Sequence, residues 1–568
     1  MRTAAFTMNF KMNKRILAWG AARLCCISCI DANTTLGGSF VPAAETYSFY
    51  TAEIPLEGIS MQMADNMSGY SDSRITFGAI RDPEYGLTTR ASAFTLVPLF
   101  LGDLEVGKNP VFQSFHFAAA RDTLSVAKAD QQNILQKVRV YELASALNPE
   151  KDFDSNKAVT HLDKTISRGT PVYGGTDSLS FNFTEEFGKK YLNITAADVK
   201  DMKTYLSKFP GIYIEVDEPD NEGGRINMLD LQMGYDKQNK VITGNIATLF
   251  YSAEFGGVRK DTTLNFYFGA PAFFNLDSLF KAYGVSNSGT FAQYALNLTG
   301  QDTRDRAGDA HDLIWIEGGG GLKPVISARS LKRQVEEAIT AAGGDPRDAV
   351  VNKASLVFPF EFPENYEDMV YWPYRLSPTC RVVSDSGTSF MGLSDSGSSS
   401  ENQGDVDRSL LVYAPDITFH MQEILKVDES QPDKASTKYL MAGNYDVWLM
   451  VMAKEKVVNV SATSEETQQM LDYYAYNSYY NDGMYGGYGG YVGYGYGGYG
   501  YGGYGYGYGY NNYYSYAMYA EQARQVRTST SQSVKLDRDR FYCCALNGPE
   551  DPVKVPTLRL TFALPNEQ

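Results

Sequence analysis

What most constrains the fold of this chain is the shortness of its apolar segments. From Tyr47 onward they are brief, β-branched or aromatic, and cut by Gly, Pro, Asn and Asp. Arg74 to Ile80 stops at Asp82-Pro83 and Gly86, and Ala91 to Leu101 follows. Lys137 to Leu143 alternates, with Val138, Val140 and Glu142 on one side and Lys137, Arg139 and Tyr141 on the other. Further strands are expected at Ile212 to Val216, Arg225 to Met233, Gly244 to Ala253, Asn352 to Phe362, Leu410 to Tyr413 and Thr557 to Ala563. Period-two alternation between turn residues marks strands, and many short strands mark β-sandwiches and jelly rolls. The expected fold class is therefore mainly β, with two β-sandwich or jelly-roll-like domains and a few short helices.

Two helices stand out. Thr195-Ala196-Ala197-Asp198 is a variant capping box, followed by Val199, Met202, Leu206 and Phe209 at helical spacing, and Pro210-Gly211 closes it. Ser330 to Ala341 places Leu331, Val335, Ala338 and Ile339 on one face and stops at Gly343-Gly344. Residues 46–300 are expected to form one domain and 301–568 a second. The second carries a Ser/Gly/Asp loop at 384–407 and a Tyr/Gly-rich tract at 473–519. About half of the 41 tyrosines fall in that tract, alternating with Gly and almost without aliphatic neighbours. Such composition buries too little apolar surface to offset the entropy of ordering it, so the tract reads as a disordered insertion in a loop.

The leader carries the clearest address. Lys11, Lys14 and Arg15 precede Ile16 to Ala22 and Leu24 to Ile27, and the small Ser28 stands before Cys29. Basic residues, a short apolar core and a small residue before the break make a secretory signal over residues 1–28. A cysteine at the first mature position marks acylation, so Cys29 is the expected lipid anchor, although Arg23 interrupts the apolar core. The stretch is shorter than the ~20 residues that span a bilayer. Residues 29–45, with Asp31, Asn33, Thr34, Thr35, Gly37 and Gly38, form an expected tether.

Charge excludes one class of partner. The net charge is −16, and five basic but no acidic residues precede Cys29, leaving −21 on the chain that starts there. No Lys/Arg cluster offers the basic face that phosphate neutralisation needs, so no nucleic-acid partner is expected. Beyond the leader and Cys29 only Cys380, Cys543 and Cys544 remain. One bridge from Cys380 to either of the others, or three buried thiols, both fit. No metal-ligand spacing joins these cysteines or the four histidines, His116, His161, His311 and His420, and no cofactor is expected.

Taken in order, these pieces resemble a Bacteroidetes lipoprotein family catalogued as the forty-two-seventy domain of unknown function. The resemblance rests on Cys29 with Asp31, Thr34, Thr35, Leu36 and Gly37; on Gly78 to Gly86 with Asp82, Pro83 and Tyr85; and on Val138 to Leu143. It continues through Phe209 to Ile214, His311-Asp312, Glu317 to Lys323, and Asn352 to Leu356. The Tyr/Gly tract and Arg23 depart from the pattern. The resemblance implies an outer-membrane lipoprotein of β-sandwich domains and brings no activity. Ile30, rather than Asp, follows the anchor, which by analogy with other lipoproteins also favours the outer membrane.

Candidate chemistry is sparse. Asp385-Ser386-Gly387-Thr388-Ser389 and Asp395-Ser396-Gly397-Ser398-Ser399 look like the turns of an aspartic-protease dyad. A true dyad draws its turns from two distant lobes, so these read as one polar loop. Asp302, Asp305, Asp309 and Asp312, with His311, form an acidic loop of the ligand type that holds Ca²⁺, opposed by Arg304 and Arg306. Glu317 to Lys323 resembles a phosphate-cradling loop without its Gly-Lys-Ser/Thr ending, and reads instead as a tight strand-to-helix passage.

The expected role is a non-enzymatic outer-membrane lipoprotein that binds a protein or glycan partner of the envelope. An envelope hydrolase acting on polysaccharide or peptide is the alternative; two carboxylates about 5–10 Å apart across a deep cleft would favour it. A shallow aromatic sheet face would favour binding. A third reading is an adhesive surface protein that uses the Tyr/Gly tract.

Overall fold

The computed structural model of the chain describes residues 46–566 apart from 101–102, 123–130, 149–152, 237–240, 270–287, 304, 385–386, 396–402 and 460–528. The signal, Cys29, the tether and the Tyr/Gly tract therefore lie outside the described residues. The fold is mainly β, and the strand pairings among the described residues are antiparallel.

The first apolar core is filled from two sheets. Phe115 and Phe117 alternate inward along the Lys108–Ala120 strand and meet Phe266 and Phe268 of Val258–Phe268. From the other sheet come Phe77, Val138, Val140, Ile212 and Ile214. The run Ala91 to Leu101, expected as one strand, is split. Gly86–Phe94 belongs to the nine-stranded sheet and Leu96–Leu99 to a five-stranded one, with the change of sheet at Thr95. Ile212–Val216 falls where expected. The 195–209 helix starts late. The Thr195 and Asp198 side chains do bond each other's backbone N–H, but only in a turn; Asp201 caps the helix Met202–Lys208 through the Thr204 N–H at 2.8 Å.

The second core contains Leu331, Val335 and Ile339 of the helix Ala328–Ala341, which Ser327 caps. It also contains Leu56, Ile59 and Met61. The strand Tyr47–Pro55 pairs residue by residue with the last strand, Thr557–Pro565, and Ile59–Met63 pairs with Leu322–Ile326. The first strands after residue 46 thus pair with strands of the C-terminal half. The final strand needs partners on both edges, and Tyr47–Pro55 supplies one while Val350–Pro359 supplies the other.

A buried polar seam joins the halves. After Ser529–Leu536 the chain runs between them as Asp537 to Arg540. Asp539 accepts from Arg74 at 3.2 Å and from Asn297 at 2.6 Å, and Arg74 also reaches Asp122 at 3.3 Å. Arg90 donates to the carbonyls of Asp539 at 2.7 Å and Arg540 at 3.0 Å. Burial lowers the Arg90 pKa, yet a guanidinium stays charged, and backbone carbonyls satisfy it.

The tract is inserted into a hairpin. Val447–Asn459 pairs with Ser529–Leu536, and Asn459 stands opposite Ser529. Because the two ends are already neighbours, the loop-closure entropy of what joins them varies only slowly with its length. Replacing residues 460–528 by Asn-Gly is expected to leave a single cooperative thermal transition, shifted by a few degrees at most (~1 kcal/mol). Loss of the transition would show that the tract is needed for the fold.

Candidate functional site

The motifs singled out in the sequence have structural uses. In the acidic loop Asp302, Asp305, Asp309 and Asp312 are exposed, and Asp309 pairs with Ser60 in a two-residue strand. The loop is organised by Arg306. Its guanidinium lies 5.2 Å from the Tyr85 ring and 5.4 Å from the Trp315 ring, bonds the Asp302 carbonyl at 2.7 Å and approaches Glu317 at 2.8 Å. Among the described residues no three His, Cys, Asp or Glu side chains gather to hold a metal ion. His311 pairs instead with Glu550 at 3.2 Å on the surface.

Asp385 and Ser386 lie outside the described residues, as do Ser396 to Ser399. Asp395 is buried and caps the helix Thr418–Leu425, accepting from the N–H groups of Phe419 at 2.6 Å and His420 at 3.1 Å. A carboxylate at a helix N-terminus satisfies donors that have no intrahelical partner. His420 donates from Nε2 to the Tyr445 carbonyl at 2.9 Å.

The glycine run connects two strands, Leu313–Glu317 and Leu322–Ile326, rather than a strand and a helix. Lys323 turns inward and gives its ammonium protons to the carbonyls of Glu317, Gly319 and Gly321, the last two at 3.0 Å. Burial pulls its pKa down, while Asp537 and Glu317 oppose that shift. Asp537 accepts from the Gly319 N–H at 2.7 Å, and its own pKa is raised by burial and by Asp539. An ammonium with three donors and three carbonyls has nothing left for a phosphate. The run is glycine because the seam approaches so closely: a Cβ on Gly318 would stand 2.6 Å from the Arg540 carbonyl oxygen, and one on Gly320 2.0 Å from Asn156 Oδ1. Cys380, Cys543 and Cys544 are free thiols, and burial raises the pKa of Cys544 and lifts that of Cys380 to about 12.

A surface aromatic cluster was not anticipated. Tyr141 and Tyr213 are directly opposite in the pairing of Gln136–Leu143 with Ile212–Val216. The His161 ring, from the neighbouring strand His161–Thr165, stacks on both, at 4.3 Å from Tyr141 and 4.8 Å from Tyr213. All three are half-buried. Tyr213 donates to Glu215 at 3.1 Å, and Arg139, opposite Glu215, grips Asp217 through two bonds of 2.6 and 2.8 Å. Burial first, then the Glu215 charge, raises both tyrosine pKa values, so the hydroxyls stay protonated donors. The hydrogen bond from Arg139 keeps Asp217 ionised below the usual carboxylate range. The result is a half-buried stack of three rings flanked by hydrogen-bond donors and acceptors, with Tyr213 also packed against the small core of Tyr70, Leu143 and Phe153. The outward position of Tyr141 was legible from alternation. Its meeting with Tyr213 and His161 needs the register.

Two outcomes follow. Gly318→Ala is expected to cost about 1–3 kcal/mol in urea unfolding, because backbone rather than a yielding side chain blocks the added methyl. The second concerns His420, whose pKa burial lowers from 6.5 to about 4. The unfolded chain takes up this proton first, so the stability is present above pH 6.5 and is lost as pH falls toward 4. The advantage of the parent over His420→Gln should shrink by about 2 kcal/mol between pH 7.5 and pH 5. An unchanged difference would show that His420 is not held neutral.

No family model matches the chain, and neither the curated proteins nor the solved structures yield a match.

Proposed function

We propose that this chain is a lipoprotein moored to the outer membrane through an acylated Cys29, and that it works there by binding an envelope partner rather than by catalysis. The anchor is supported by the basic, apolar and small residues before Cys29 and by the family resemblance they share in. The observation that carries the binding reading is the half-buried Tyr141–His161–Tyr213 ring stack, with Glu215 and the Arg139–Asp217 pair at its side. Planar rings offer contact area at low entropy cost, and the fixed polar groups beside them give direction. The partner class that fits is a glycan or an extended protein segment. No helix among the described residues is long and apolar enough to cross a membrane, and an acyl anchor makes none necessary.

An adhesive role for the Tyr/Gly tract is the second reading. One observation favours it: the tract is joined at two adjacent strand ends, so it can engage a partner without disturbing either core.

The test is capture from the native envelope, with partners identified by mass spectrometry. Tyr141→Ala with Tyr213→Ala should lower recovery of the main partner by about tenfold or more, the usual loss for a central aromatic anchor. Cys29→Ala should move the protein from the membrane to the soluble fraction. Unchanged recovery in the tyrosine variant would move the binding site elsewhere. Unchanged membrane partition in Cys29→Ala would overturn the anchor.

A further inference from the structure

The sheet face around the first described strand sets exposed apolar side chains beside a charged groove. The strand Tyr47–Pro55 lies at the edge of its sheet, beside Thr557–Pro565 and then Val350–Pro359. Its odd-numbered residues face away from the second core, and register builds rows across the three strands. Phe49, Ala563 and Val350 make one row, and Tyr47 lies beside Pro565. Phe49 is 68% exposed, Tyr47 49% and Val350 44%, which is a large apolar group to leave in water. The next rows are polar: Thr51, Thr561 and Lys353, then Glu53, Arg559 and Ser355. With Asp416 they line an open groove of about 530 Å³.

The groove carries two cations and two anions. Glu53 and Arg559 touch at 3.3 Å, both more than half exposed, and an exposed pair of this kind is worth little and opens readily. A ligand with one phosphate and one ammonium would meet both signs of charge, the phosphate facing Lys353 and Arg559 and the ammonium facing Glu53, while Asp416 is taken up by the Thr418 N–H at 3.1 Å and the Ser355 hydroxyl at 3.5 Å. The apolar rows stand beside the groove, as acyl chains stand beside a headgroup. Cys29 lies 18 residues before Tyr47, a reach of at most about 60 Å, so an anchored chain keeps this face close to the bilayer. The chain from Cys29 onward, at net charge −21, is repelled by anionic lipid, which leaves zwitterionic lipid as the fitting surface.

We propose that this face is a membrane-docking surface: the groove takes zwitterionic phospholipid headgroups, while Tyr47, Phe49 and Val350 enter the interfacial layer. The inference rests on the anchored reading of Cys29, and it adds an orientation that the anchor alone does not impose.

The test uses the acylated full-length chain in phosphatidylethanolamine/phosphatidylcholine vesicles with brominated acyl chains, after flotation. Phe49→Trp should show an added emission component quenched roughly twofold relative to unbrominated vesicles, as for a ring seated at the headgroup boundary. Val258→Trp, at an exposed turn in the first half, should not be quenched. Lys353→Glu in the Phe49→Trp background should lose most of the quenching while still floating. If the chain floats and Phe49→Trp is unquenched, or if Val258→Trp is quenched equally, the anchor stands and the docking face is wrong. If the parent chain does not float, the anchor reading fails and takes the docking face with it.

Discussion

The structure depends on what happens to the Asp539 carboxylate. It is buried, and its two oxygens are met by Arg74 and by Asn297, residues more than 240 positions upstream. Burying a charge is costly, and the cost is offset only where every donor and acceptor around it is used. Here Arg74 also holds Asp122, Asn297 also bonds the Arg74 carbonyl, and Arg90 closes on the carbonyls of Asp539 and Arg540. One strand-to-strand connection thus fixes two cores against each other. The same segment explains the glycine run, since Gly318 and Gly319 lie against Asp537, Arg538 and Arg540.

Much of the strand content was legible because local chemistry sets it. Val138 and Val140 alternate with Arg139 and Tyr141, and that period is what a sheet buried on one face requires. The helix Ala328–Ala341 was legible from the spacing of Leu331, Val335 and Ile339. The helix Glu185–Leu192 was missed, although Thr184 caps it and Glu185, Glu186, Lys189 and Lys190 suit its two ends. At eight residues with a central Gly188 its period is too brief to recognise. What local pattern cannot carry is pairing at long range. Nothing in Tyr47 to Pro55 says that its partner is Thr557 to Pro565. The aromatic face was hidden for the same reason: Tyr141, His161 and Tyr213 meet only once three strands are in register.

The motifs that looked chemical in sequence share a physical fate. Lys323, Asp395 and Asp537 are engaged by neighbouring backbone, and Arg306 by backbone carbonyls and Glu317. Two groupings that do face outward are the aromatic rings on one sheet and the mixed-charge groove on another. That division is consistent with the proposed role of an anchored binding protein. The aromatic stack and the mixed-charge groove lie in different sheets.

The Arg74–Asp539 contact is expected to couple the two cores into one cooperative unit. A double-mutant cycle in urea unfolding, with Arg74→Met, Asp539→Asn and the pair, measures it directly. A coupling of about 2 kcal/mol or more, with one transition in the parent, is the expected result. Additive losses within about 0.5 kcal/mol, or two separate transitions in the parent, would contradict it.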